Sequence, residues 1–294
     1  MSNSSSYSTT QRGSGLGIKI VYLFFRLFGY KGLHFILFFV VLYYTLTTPT
    51  LKKYLKEYYM LCVGRFNYLI YYKHIYTFAL IFADRIFSKK FTDRYKVIVQ
   101  KDRNYIHTKD SGVMFLLSHV GDWSVSEMMP TQNNKTINIV MKEEIKESIK
   151  SFEEKISSDD SKSKLHIIDI SDGTIAVATQ LAKAFLNNEV VAMMADRYLS
   201  KESSVSVRFL GRTIRINKNP FDVAYNRKVP MVAFFAMREG DYLYSPFYFE
   251  MTEFDMSISK EESIQLKAQE YTLLLEGMVR KYPSQWLNHY DFFA

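Results

Sequence analysis

The chain has 294 residues and a formal charge of +8; 48% of its residues are hydrophobic and 16% aromatic. That length allows one large α/β domain plus a terminal appendage, and the composition excludes a disordered polymer. The single cysteine, Cys62, excludes an intrachain disulfide and a cysteine-based zinc site and fits a reducing compartment, while the basic balance suits an anionic partner without naming it.

Residues 1–16 are rich in Ser and Thr and read as a disordered tail. Ile18 to Leu46 is mostly apolar but is interrupted by Lys19, Arg26, Lys31 and two glycines. Its uninterrupted part, Leu33–Leu46, would be a helix of about 21 Å against a hydrocarbon core of about 30 Å, so it reads as partly inserted and not as a span of its own. Tyr43, Tyr44, Tyr54, Tyr58 and Tyr59, with Lys52, Lys53 and Lys56, suit the headgroup zone, with the lysines on the cytoplasmic side. No small-x-small cleavage site follows Leu46. A buried hairpin of core helices is the bland alternative, and the phenylalanines crowding both faces, Phe24, Phe25, Phe35, Phe38 and Phe39, weigh against it. Arg65 to Lys90 runs without Gly or Pro and reads as a helix leading from the membrane layer into the body. The region 17–95 is therefore expected to be membrane-associated and helical, and 96–294 to be the catalytic domain.

In that second region, short apolar runs at 113–118, 136–141, 165–170, 189–195 and 229–236 read as strands buried on both faces. Helix-like segments at 142–157, 174–187 and near 219–227 lie between them, and 261–281 is a closing amphipathic helix. This rhythm predicts an α/β fold with a mixed, largely parallel central sheet flanked by helices. Residues 204–216 break the rhythm and read as a hairpin turning at Leu210-Gly211.

The first strand ends in L-S-H-V-G-D-W-S, residues 117–124, which places His119 beyond the carboxyl end of a strand, where ligands of open α/β sheets gather. A neutral imidazole there is a candidate general base; a loop histidine satisfied by backbone is the plain alternative. The six histidines show no metal-ligand spacing, His166 and His289 read as structural, and Arg208 and Arg215 read as a solvated or anion-facing strand surface. No glycine-rich phosphate loop is present in the sequence, and no nucleic-acid motif accompanies the interleaved Tyr and Lys.

Three stretches, S-H-V-G-D-W-S (118–124), M-M-A-D-R (193–197) ahead of V-R-F-L-G-R (207–212), and Q-W-L-N-H-Y-D-F-F near the end, resemble the lysophospholipid acyltransferase superfamily. Within it the match is to the late acyltransferases of bacterial lipid A biosynthesis. The segment Y-T-F-A-L-I-F-A-D-R, after the membrane region, is similar to that family's lead-in. The resemblance implies a His-x-x-x-x-Asp/Glu pair, but here the fifth residue after His119 is Ser124. Asp122 is the first candidate for the missing carboxylate and Glu127 the second, although S-V-S-E at 124–127 has the form of a capping box. By the same resemblance Asp196, Arg197 and Arg212 belong to substrate or anion contacts; an Asp196-Arg197 pair holding a loop is the plainer reading.

What the resemblance implies is a membrane-bound enzyme on the cytoplasmic face of the bacterial inner membrane. It would move a fatty acyl group from acyl carrier protein or coenzyme A to a hydroxyl or amine of a lipid: a lipid A precursor, an aminolipid, a glycolipid or a polyene lipid. The acyl thioester is a co-substrate, and neither a cofactor nor a metal is expected. The competing reading, supported by Ser124, is a non-catalytic lipid-binding relative that scaffolds a partner enzyme.

Overall fold

The computed structural model describes residues 15–98, 111–124, 136–141 and 165–293. Its first part is three helices: α1 (Gly15–Thr47), α2 (Pro49–Cys62) and α3 (Tyr68–Phe87). Pro49 opens α2, where a missing N–H costs nothing, and the Asn67 side chain caps α3 by accepting from the Ile70 amide at 2.9 Å. α1 bends at Gly29, whose φ of 59° is open to glycine. One side of α1 is buried through Phe25, Tyr30, Leu33, Leu37 and Val41; the first four share one apolar cluster with Leu80, Ala83, Ile86 and Phe87 of α3, and Val41 joins the main core.

The body is a sheet whose described strands run β1-β9-β8-β2-β5-β3-β4. These are β1 (Lys96–Val97), β2 (Val113–Leu117), β3 (Ile137–Met141), β4 (Leu165–Asp169), β5 (Val190–Met194), β8 (Met231–Gly240) and β9 (Leu243–Glu250). Every pairing is parallel except β8 with β9. β2 is buried at every residue, as expected of an apolar run covered on both faces. The helices α4 (Thr174–Leu186), α5 (Asn219–Arg227) and α6 (Lys260–Lys281) complete the layers. α6 starts at Ser259, whose side chain accepts from the Glu262 amide, and its Tyr271 hydroxyl donates to Leu117 O at the end of β2.

The expected α/β architecture, its strands and the helices at 174–187, 219–227 and 261–281 are all present, with ends moved by one or two residues except in β8, which runs four residues past its expected end to Gly240. β6 (Ser204–Phe209) and β7 (Arg212–Asn217) form the expected hairpin, and positive φ at both Leu210 and Gly211 gives the tight turn that matches strand twist. The expected helix at 142–157 lies outside the described residues. β9, which carries Pro246, was not anticipated. Pro246 faces Ala236 of β8 on one side, while β1 on the other side reaches only Leu243 and Tyr244, so proline's missing N–H breaks no ladder among the described strands.

Candidate active site

β2 and β5 are parallel neighbours in a register that sets Leu117 beside Met194. Two residues past those ends come His119 and Asp196, so the sheet itself brings them together. Asp196 is fully buried, and its Oδ1 lies 2.9 Å from His119 Nδ1, while Oδ2 accepts from the His119 amide at 2.9 Å. Burial alone would raise the Asp196 pKa, but the His119 ring, its hydrogen bonds and Arg197 more than reverse this, and the carboxyl ends below its ordinary range. An ionised carboxylate only accepts, so the Nδ1 nitrogen carries the proton and Nε2 keeps its lone pair. Burial, followed by the Arg197 charge, holds the His119 pKa below its ordinary value even though Asp196 pulls it upward. The ring is neutral near pH 7, and about 30% of its side-chain surface is open.

The loop that carries His119 is clamped from both sides. Gly121 N donates to Gln285 O and Asp122 N to Ala236 O, while Leu287 N donates to His119 O, so the C-terminal segment pairs with the loop like an added strand. Gly121 has φ 71°, and a Cβ there would collide with the Ala236 carbonyl, so the close approach requires glycine.

No described hydrogen bond joins Asp122 to the His119 ring; the carboxylate bonded to the ring is Asp196. Asp122 is buried, and its Oδ1 accepts from Arg85 Nε at 3.1 Å, Arg85 Nη2 at 2.9 Å, Ser124 N at 3.1 Å and Ser124 Oγ at 2.8 Å. The physical reason is reach: the turn at Gly121 sends residue 122 toward α3, while the strand register sends residue 196 toward the ring. Ser124, at the position of the motif carboxylate, spends its hydroxyl on Asp122. Glu127 lies outside the described residues.

Arg197, next to Asp196, donates from Nη2 to Leu287 O at 2.7 Å, and its guanidinium lies 4.9 Å from the centre of the Tyr290 ring. Its buried Nε has no partner among the described residues. Arg212 stands exposed at the foot of the hairpin turn, and no described contact brings it to His119. Its neighbour Thr213 lines a cavity of about 270 Å³ with Tyr198, Ser206, Arg215, Tyr290 and Phe292. That cavity adjoins Arg197 through Tyr198 and Tyr290.

Two residues join the site that the sequence reading did not assign to it. Arg85 sits close enough to depress the His119 pKa, and its side chain is about 31% exposed. His289 packs its ring against Phe78 at 4.6 Å and His74 at 5.7 Å; burial, Arg197 and His119 lower its pKa to about 4. The only sequence signal for either was membership in a landmark stretch, A-D-R and N-H-Y, since each reaches the site from a remote part of the chain.

Residues 71–289 match the family model described as bacterial lipid A biosynthesis acyltransferase. No curated protein matches the chain.

Proposed function

Because the matched stretch covers well over half of it, the chain belongs to the bacterial lipid A biosynthesis acyltransferase family, and on that premise we propose that His119 is its general base. The protein is an acyltransferase that acts on lipid. In the proposed reaction, Nε2 of neutral His119 takes the proton from a hydroxyl or amine of the lipid acceptor as that atom attacks the carbonyl carbon of an acyl thioester. The carbon-sulfur bond then breaks, and the imidazolium returns the proton to the departing thiolate of acyl carrier protein or coenzyme A. General base assistance is worth roughly 10²- to 10⁴-fold.

The single observation that carries this reading is the bond from His119 Nδ1 to buried, ionised Asp196. It fixes the tautomer that leaves Nε2 basic and offsets the positive charge formed during transfer. Arg197 and Arg85 are the cations whose charge acts on the ring, and we assign them to the developing oxyanion. The cavity next to Arg197 is the proposed seat of the acceptor's polar part, with Arg215 and Asp291 in its lining and Arg212, beside Thr213, as a proposed anion contact at its edge. Lys52, Lys53 and Lys56 support the cytoplasmic face of the inner membrane as the working location.

Ser124 favours the non-catalytic scaffold reading, yet the carboxylate that serine lacks is present on the ring as Asp196. The experiment that tests the proposal is mass spectrometry of total lipids from cells lacking the protein, then supplied with wild type or Asp196→Asn. An acylated lipid restored by wild type and not by the variant is expected. Equal restoration by both would overturn the assignment.

A further inference from the structure

α1 is long and apolar enough to cross a membrane. Its partners, however, lie along its whole length. Tyr22 meets Phe87, Phe25 stacks on Phe87 at 4.5 Å, Tyr30 packs on Tyr242 at 4.3 Å and donates to Asp84, and the Thr48 hydroxyl just past its end lies 2.8 Å from Tyr71. α1 and α3 are therefore antiparallel and in contact from end to end, and α1 cannot leave the body without tearing this seam.

The charges on α1 lie at the wrong depth for a span. Lys31 is exposed in the middle of α1, with Arg26 and Lys19 exposed before it. Near the same midpoint, His34 Nε2 lies 2.9 Å from Asp241 Oδ2, and the two side chains remain 38% and 42% exposed. Were α1 upright with its midpoint at the centre of a bilayer, these groups would sit in hydrocarbon, where a charged side chain is costly. The side of α1 turned away from this seam carries an exposed apolar stripe that includes Leu27, Phe28, Phe35, Phe39 and Leu46, each at least half exposed, with Phe38 at its edge against Tyr72 of α3. Exposed Tyr68 and Leu69 at the start of α3 extend it, and Lys53 and Lys56 of α2 are exposed nearby.

We infer that α1 lies in the plane of an anionic bilayer, its apolar stripe immersed in one leaflet and its cations among the headgroups, with both ends of the helix on the same side as the body. Apolar stripe and flanking cations together are what such a surface attracts. α3 then carries the membrane contact to the site: Asp84 receives Tyr30 of α1, and the next residue, Arg85, holds Asp122 in the loop that carries His119. The loop that carries the general base is thus tied through α3 to the immersed helix.

The inference rests on the geometry of α1 and not on the chemistry assigned to His119, so either can fail alone. The test is cysteine labelling with a membrane-impermeant maleimide in right-side-out and inverted membrane vesicles from cells making the full chain. Buried Cys62 stays in place, and its unaltered protein sets the background. Ser5→Cys ahead of α1 and Glu253→Cys on the body are compared. Both are expected to react in the same vesicle orientation and to be silent in the other. Reaction of Ser5→Cys only in the orientation where Glu253→Cys is silent, or protection of Ser5→Cys in both, would overturn the inference. Acyl transfer measured in the same vesicles reports separately on the site.

Discussion

Arg85 reaches from α3 to the loop after β2 and places Nε and Nη2 at 3.1 and 2.9 Å from a single oxygen of buried Asp122. A helix that packs on the membrane-facing segment thus fixes a cation beside the candidate base. Asp122→Asn keeps the shape but weakens a charge-assisted bond worth about 1.5–3 kcal/mol, so kcat/KM should fall by about tenfold. Steady-state acyl transfer by the purified variant checks this. If Asp122→Asn is more damaging than Asp196→Asn, the roles given to the two carboxylates are reversed.

Asp196→Asn presents an amide to His119 in place of an acceptor-only carboxylate and favours the tautomer that protonates Nε2. We expect a loss of roughly 10²-fold or more in kcat, in line with the cost of the wrong tautomer in related arrangements. The Asp196 charge raises the ring's pKa against burial and Arg197, so whatever activity remains should have its acid limb at lower pH than wild type. In wild type that limb should already lie below the ordinary histidine value of about 6.5. A pH profile of kcat/KM for both proteins tests the direction. An acid limb that rises in the variant would contradict the electrostatic assignment.

Folding stability should depend on pH through His74, His119 and His289. Burial lowers the pKa of each in the folded chain, reaching about 4 for His289. Between the unfolded value of about 6.5 and the folded value, the unfolded chain binds more protons. The stabilising contribution is therefore complete above about 6.5 and is lost as pH falls through the folded pKa. The melting temperature should drop steadily from pH 7 to pH 4, and His289→Gln should flatten that drop. A slope unchanged in the variant would remove His289 from the explanation.

Gly121→Ala should harm the protein more than an ordinary surface change. Positive φ alone costs an alanine about 1–2 kcal/mol, and its Cβ meets the Ala236 carbonyl. The His119 loop must then move away from β8. A lowered melting temperature together with lost acyl transfer is expected, and a variant with wild-type stability would show that the loop is not clamped there.

Much of this architecture was legible in the sequence because apolar runs buried on both faces have few other readings. β2 and β5 were found that way, and so was the position of His119 past the end of a strand. The hairpin was visible because Leu210-Gly211 separates two alternating segments. What sequence could not supply was register. Asp196 reaches His119 only because β5 lies directly beside β2 with Leu117 opposite Met194, whereas Asp122, three residues from His119 in sequence, is turned aside by Gly121. Nearness along the chain favoured Asp122, whereas the strand register sets Asp196 against the ring. Arg85 and His289 were hidden for the same reason: one comes from α3 and the other from the C-terminal tail, with no local pattern pointing toward the ring. β9 was obscured by Pro246, which reads as a strand breaker until the short reach of β1 is known.

The central claim is that the His119 ring, held by Asp196, takes the acceptor's proton. His119→Gln tests it most directly, because an amide at that position can still donate to Asp196 yet cannot act as a base. The measurement is the rate of acyl transfer from an acyl thioester to lipid by the purified, folded variant, read by mass spectrometry of the lipid product. A fall of at least about 10²-fold is predicted. A rate near that of wild type would contradict the account.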